Sequence, residues 1–261
     1  LLAGVAYGFT SYMPIILAAG HQTKFVALAF APFILLAFAY TLRNPGPLGG
    51  LCFAIVLSVE LRAQHPQITY YVLMLAFVWW LVEVIGAVRD GTWKPIARST
   101  GWLALGTILA LLMVLQPYWP TWEYKQFSVR GAASGTGEGG NMGWENAMRW
   151  SQGIGEIITL AIADAFGGSG GTYWGPKPFT AGPHYVGAVA LSLAGLAVYR
   201  VRTRVVKGLA AGALATILFS FGRHLAIVNR PMFELFPYFD AFRAPETWLS
   251  IAVLAIAVLA G

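Results

Sequence analysis

The sequence predicts an all-α protein: a polytopic transmembrane helical bundle with extracytoplasmic loops and one helix lying in the membrane interface. Three observations predict it. Of the 261 residues 57% are hydrophobic and 11% charged, with a mean hydropathy of +0.65, too little polar surface to coat a soluble globule of this size. Apolar runs recur along the whole length, many approaching the ~20 helical residues that cross a ~30 Å hydrocarbon core. Basic residues concentrate in a few short connections between those runs.

Hydropathy and breaker residues mark spans at 2–19, 25–42, 48–61, 68–88, 102–118, 185–198, 208–221 and from 247 onward. Residues 1–261 therefore form a single membrane domain of about seven to eight segments, with no separate soluble domain. The run 48–61 is short for a crossing and is expected to be tilted, or re-entrant and packed on its neighbours, because irregular backbone facing lipid leaves polar groups unsatisfied. The chain opens at Leu1 and stops at Gly261 inside apolar runs, so both ends are expected to be cuts within a longer protein. The single Cys52 excludes an internal disulfide and a cysteine zinc site, and a buried, inert thiol is expected.

If successive spans alternate sides, TLRNPGP, VRDGTWKPIARST and RVRTRVVKG share one side and hold 8 of the 17 lysines and arginines. The positive-inside rule makes that side cytoplasmic. The other side carries the remaining 9 basic residues and 9 of the 11 acids over longer segments, a net charge near zero. The formal +6 and the pI of about 9.5 are thus a topology signal rather than a nucleic-acid footprint, which would need basic residues gathered on a polar face.

This assignment collects four segments on the extracytoplasmic face: GHQTK at 20–24, AQHPQ at 63–67, a long loop at about 119–184, and 223–246. In the long loop WEYKQFSVR leads into the Gly-rich GAASGTGEGGNMG, expected to be mobile. Residues 144–166 then carry tryptophans early and Ile154, Ile157, Ile158, Ala161, Ile162 and Ala165 at helical spacing. That pattern suits an interfacial helix, although its second half is also compatible with buried core.

Ionisable groups at the membrane edge of a bundle are costly unless they face a wet or paired site, so a cluster of them is a functional candidate. His21 and Lys24 flank one helix; Arg62, Gln64, His65 and Gln67 flank the next. The plainer explanation is that Lys24 and Arg62 snorkel to headgroups while Gln64 or His65 caps a helix that Pro66 starts. Glu123, Lys125 and Arg130 follow one span, and Arg243 and Glu246 precede another. Arginine matches phosphate oxygens and a carboxylate can take a proton from a hydroxyl, but structural ion pairs use the same residues. GGSGG lacks the lysine of a phosphate loop and is a turn. His21, His65, His184 and His224 lie in separate segments, so only the fold could assemble a metal site from them.

The order GHQTKFVALAFAPFILLAF, AQHPQITYYVLM, LQPYWPTWEYKQFSVR, GGSGGTYWGPKPFTAGPHYVG and FPYFDAFRAPETW resembles the bacterial YfhO family over nearly the whole chain. The family is similar to the GT-C membrane glycosyltransferases. The resemblance implies a GT-C-like bundle in the bacterial cytoplasmic membrane, a polyprenyl-phosphate-linked sugar donor and an envelope glycopolymer acceptor. No resident cofactor is implied, and a divalent metal is left open. In that superfamily the catalytic carboxylate usually sits in a first extracytoplasmic loop, which would precede Leu1, so no base is carried over. Lys24, Arg62, Arg130 and Arg243 are candidates for the donor phosphate, and Glu123 and Asp164 are fallback acids. Tyr173, Trp174 and Trp122 could stack on a sugar or anchor the interface. A lipid-linked-substrate transporter and a non-catalytic scaffold are the competing readings; Glu83 is the ionisable residue nearest a span interior.

Overall fold

The computed structural model describes residues 1–125, 127, 143–168, 170–180 and 182–261. Arg130 and nearly all of the Gly-rich stretch lie outside the described residues. The described residues form twelve α-helices in order: α1 (Leu2–Gly8), α2 (Tyr12–Ala18), α3 (Gln22–Arg43), α4 (Pro47–Leu61), α5 (Pro66–Arg89), α6 (Trp93–Met113), α7 (Leu115–Lys125), α8 (Trp144–Ala147), α9 (Ala188–Arg200), α10 (Arg204–Ser220), α11 (Ala226–Leu235) and α12 (Trp248–Ala260). Among the described residues there is no strand, only an isolated bridge between Ala165 and Gly167. Among the described residues three helices, α3, α5 and α6, with 22, 24 and 21 residues, are long and apolar enough to cross a membrane. Helix α10 and the segment Gly222–Leu235 qualify together as a fourth, bent by 111°.

Local chemistry sets the ends. Pro47 and Pro66 open α4 and α5, where a missing N–H costs nothing. Gly91, at φ +69, lets the chain leave α5. Thr203 caps α10 by accepting a hydrogen bond from the Val206 N–H.

Packing follows the sequence. Helix α12 is apolar on every side and is buried from Trp248 to Ala257, the position that such a helix must take. It packs against α10, α9 and α1; α10 also lies along α5, and α4 fills the gap between α3 and α6. The outward faces are apolar too: Phe33 and Leu36 of α3, Ile55 of α4, Ile85 of α5 and Ile108 and Leu112 of α6 are exposed. A bundle apolar outside as well as inside is matched to lipid. Cys52 is half-buried in α4 rather than sealed in the core.

Three expectations change. The run 2–19 is two short helices, because Ser11 turns the chain to donate to the Pro183 carbonyl at 2.5 Å and accept from the Tyr185 N–H at 2.8 Å. The interfacial helix at 144–166 is not formed: the segment holds four-residue α8 and a 3-10 turn at Gly155–Leu160. Gly153 and Gly155 weaken a helix there, and the Glu156 carboxylate accepts from the Gly153 N–H at 2.7 Å instead of leaving it to a helical ladder. The segment 223–246, expected as loop, contains α11.

Candidate functional site

Helices α3, α5 and α12 begin at the same end of the bundle, opposite the three basic connections, and enclose a cavity of about 370 Å³. His21 and Lys24 line it from the start of α3, His65 and Gln67 from the start of α5, and Arg243, Glu246 and Thr247 from the turn into α12. Ile15, Ile16 and Ala19 give it an apolar wall, and Trp150, Phe179 and Phe242 an aromatic one.

Two strained turns adjoin lining residues of the cavity. Gln64 and Ala244 have φ of 55° and 59°, left-handed conformations that cost a residue with a Cβ about 1–2 kcal/mol and persist only where surroundings fix them. At Ala244 the fixing bonds are visible. Its N–H donates to the Ala147 carbonyl at 3.1 Å, the Glu246 N–H donates to the Trp150 carbonyl at 3.1 Å, and the Gln67 side-chain amide donates to the Arg243 carbonyl at 2.6 Å. The turn is thus clamped between residues 147–150 and the first turn of α5.

Under the cavity lies a buried charge cluster. The Lys177 ammonium, 4% exposed, sits 2.8 Å from Glu246 Oε2 and 3.5 Å from Glu156 Oε1, and donates to Gln152 Oε1 at 3.0 Å. The Tyr173 hydroxyl donates to Glu156 Oε1 at 2.6 Å and accepts from the Lys177 N–H at 3.0 Å. Burial and the Glu156 bond push the Tyr173 hydroxyl well above its ordinary range, so it remains a donor.

Lys24 donates to the Tyr12 hydroxyl at 3.1 Å and to Thr247 Oγ1 at 3.4 Å. His65 occupies the N-cap position of α5 without a capping bond, and its Nε2 is buried with no partner among the described residues. Burial first, then Lys24 and His21, lower its pKa from 6.5 to about 4, so it faces the cavity neutral. His184, stacked on Tyr12 at 3.9 Å between ring centroids, is likewise held neutral by burial, Lys177 and Lys24.

Of the residues singled out in the sequence, His21, Lys24, His65, Gln67, Arg243 and Glu246 meet in this cavity, and Tyr173 lies in the cluster beneath it. Arg62 and Gln64 are exposed and do not line it. Glu123 is exposed on α7, accepting from the Trp119 ring N–H at 3.0 Å. Asp164 is exposed near Gly168, and Trp174, 67% exposed, stacks on Phe166. Neither Glu123 nor Asp164 lines the cavity. Among the described residues no three His, Cys, Asp or Glu side chains gather as a metal would need.

The sequence reading passed over Lys177, Glu156, Trp150 and Phe179. One signal was available: Glu156 in IGEIITL and Lys177 in WGPKPF are isolated opposite charges in apolar surroundings, and charges buried there need each other. It also passed over Glu60, which is fully buried in the last turn of α4. No family model, no curated protein and no solved structure matches this chain.

Proposed function

We propose that the protein transfers a sugar from a polyprenyl-phosphate carrier to a cell-envelope polymer, on the extracytoplasmic face of the bacterial cytoplasmic membrane, as its YfhO-like motif order implies. The observation that carries the reading is convergence: three clusters separated by up to 223 residues, such as Lys24 and Thr247, share one cavity at one end of an apolar bundle. Its parts suit the donor. Lys24 and Arg243 supply cations for a phosphate, the aromatic wall suits a sugar ring, and the apolar wall from α2 suits an isoprenoid chain.

The test is binding and transfer by the full chain in nanodiscs. C55-polyprenyl phosphate should bind and the uncharged C55 polyprenol should not; changing Lys24 and Arg243 together to alanine should weaken binding by at least about tenfold, the value of one charge-assisted hydrogen bond. Equal affinity for the phosphate and the alcohol, or deletion of the protein with no change in any envelope glycan, would sink the reading.

A transporter remains the second reading, favoured by the 111° break after α10 and by the fully buried Glu60. It requires movement of a lipid-linked substrate between leaflets of protein-containing vesicles, with no glycan product formed.

A further inference from the structure

We propose that Glu246 is the catalytic base of this cavity and that Lys177 is its positioning residue, an assignment that rests on the transferase reading above. Among the described residues Glu246 is the one carboxylate that lines the cavity. The cluster behind it holds one ammonium against two carboxylates, Glu156 and Glu246. Glu156 already satisfies a structural need: it is buried, it accepts from the Gly153 N–H and the Tyr173 hydroxyl, and it lies beside Lys177. Glu246 shares that ammonium at 2.8 Å and is the acid of the two that reaches the cavity, its side chain 18% exposed.

Its placement is preorganised. Lys177 holds Oε2 at 2.8 Å, the Glu246 N–H is bonded to Trp150, and the preceding Ala244 is fixed at φ 59°. The next residue, Thr247, accepts from the Lys24 ammonium of α3 at 3.4 Å, so a cation for phosphate is held against the residue beside the carboxylate. In the reaction, the acceptor hydroxyl oxygen bonds to the anomeric carbon as the bond from that carbon to the phosphate oxygen breaks. The bonding pair leaves with the phosphate, giving the lipid monophosphate beside Lys24 and Arg243, and the hydroxyl proton passes to Glu246.

The experiment uses the full chain in nanodiscs, C55-polyprenyl phosphate glucose or N-acetylglucosamine as labelled donor, and envelope membranes as acceptor. E246Q, which retains an oxygen for Lys177, is expected to bind C55-polyprenyl phosphate like the wild type, with kcat lower by about 100-fold or more and an unchanged donor KM. K177Q should lower kcat at constant KM, and K177R should restore most of it, a pattern that loss of stability alone does not give. Transfer by E246Q within about threefold of wild type overturns the assignment while leaving the transferase reading intact. Wild-type protein that transfers neither sugar overturns both. If E246Q does not fold, E246A assayed with formate decides: a restored rate supports the assignment and an unrestored one overturns it.

Discussion

At the scale of single residues, the cluster around Lys177 shows which side chains tolerate burial and which changes they will not tolerate. Lys177→Met would leave Glu156, 2% exposed, and Glu246 without their cation, and breaking a buried pair from one side costs about 3–5 kcal/mol. Thermal melting in detergent should show that loss, whereas E246Q, which leaves the Lys177–Glu156 contact in place, should lose clearly less. Equal losses would mean that Glu246, not Glu156, is the structural partner. The histidines predict an acid limb. His65 titrates at about 4 in the folded chain against 6.5 in the unfolded one, so between those values the unfolded state binds more protons. Stability contributed by the neutral ring is complete above about 6.5 and is lost as pH falls toward 4. His184, shifted in the same direction, adds to that loss. Melting temperature should therefore fall across this window, and less steeply in His65→Gln; identical profiles would assign the limb elsewhere. Lys24, His65, Gln67 and Arg243 were legible because polar groups stand out beside apolar spans. Lys177 was not, because the distance from Gln152 to Lys177 is 25 residues and their meeting depends on a loop path that no periodicity encodes.

At the scale of elements, spans were legible where prolines and glycines punctuate apolar runs, and α4 and α5 start at Pro47 and Pro66 for that reason. The segment 144–166 failed because isoleucines at helical spacing outweighed Gly153 and Gly155 in the reading, whereas hydrogen bonds of the fold outweigh spacing in the protein. Glycine has a second, opposite use in this bundle. A Cβ at Gly106 of α6 would lie 2.6 Å from the Gly50 carbonyl of α4, and one at Gly50 would lie 2.9 Å from the Trp102 carbonyl, so the two backbones touch. Lipid offers no hydrophobic drive between helices, and such close approach supplies the packing instead. Gly106→Ala should therefore destabilise by about 1–3 kcal/mol, the cost of overpacking. Gly195→Ala in α9, with nothing within 4 Å, should be neutral or gain up to about 1 kcal/mol from helix propensity. The opposite ranking in melting experiments would refute a backbone contact between α4 and α6.

At the scale of the molecule, two ends of one bundle differ in charge and in shape, and that difference predicts an orientation. One end carries Arg43, Arg89, Lys94, Arg98, Arg200, Arg202, Arg204 and Lys207 on short connections, and there Arg204 pairs with Asp90 and lies 3.9 Å from Glu83, tying the α5–α6 connection to the start of α10. The other end carries the cavity and, beside it, Trp150, Lys177 and Phe179 of the long segment between α7 and α9. Loops rich in lysine and arginine resist translocation, so the first end should be cytoplasmic and the cavity should open outward. The single Cys52 makes this measurable: with Cys52→Ser as background, cysteine can be placed one position at a time. A membrane-impermeant maleimide should label Glu145→Cys and Ile154→Cys, both exposed, on intact cells. It should label Lys94→Cys and Arg202→Cys, also exposed, only after the membrane is opened. Labelling with the sides exchanged would put the cavity in the cytoplasm, where a nucleotide sugar would be available as donor, and would remove the physical case for a lipid-linked one.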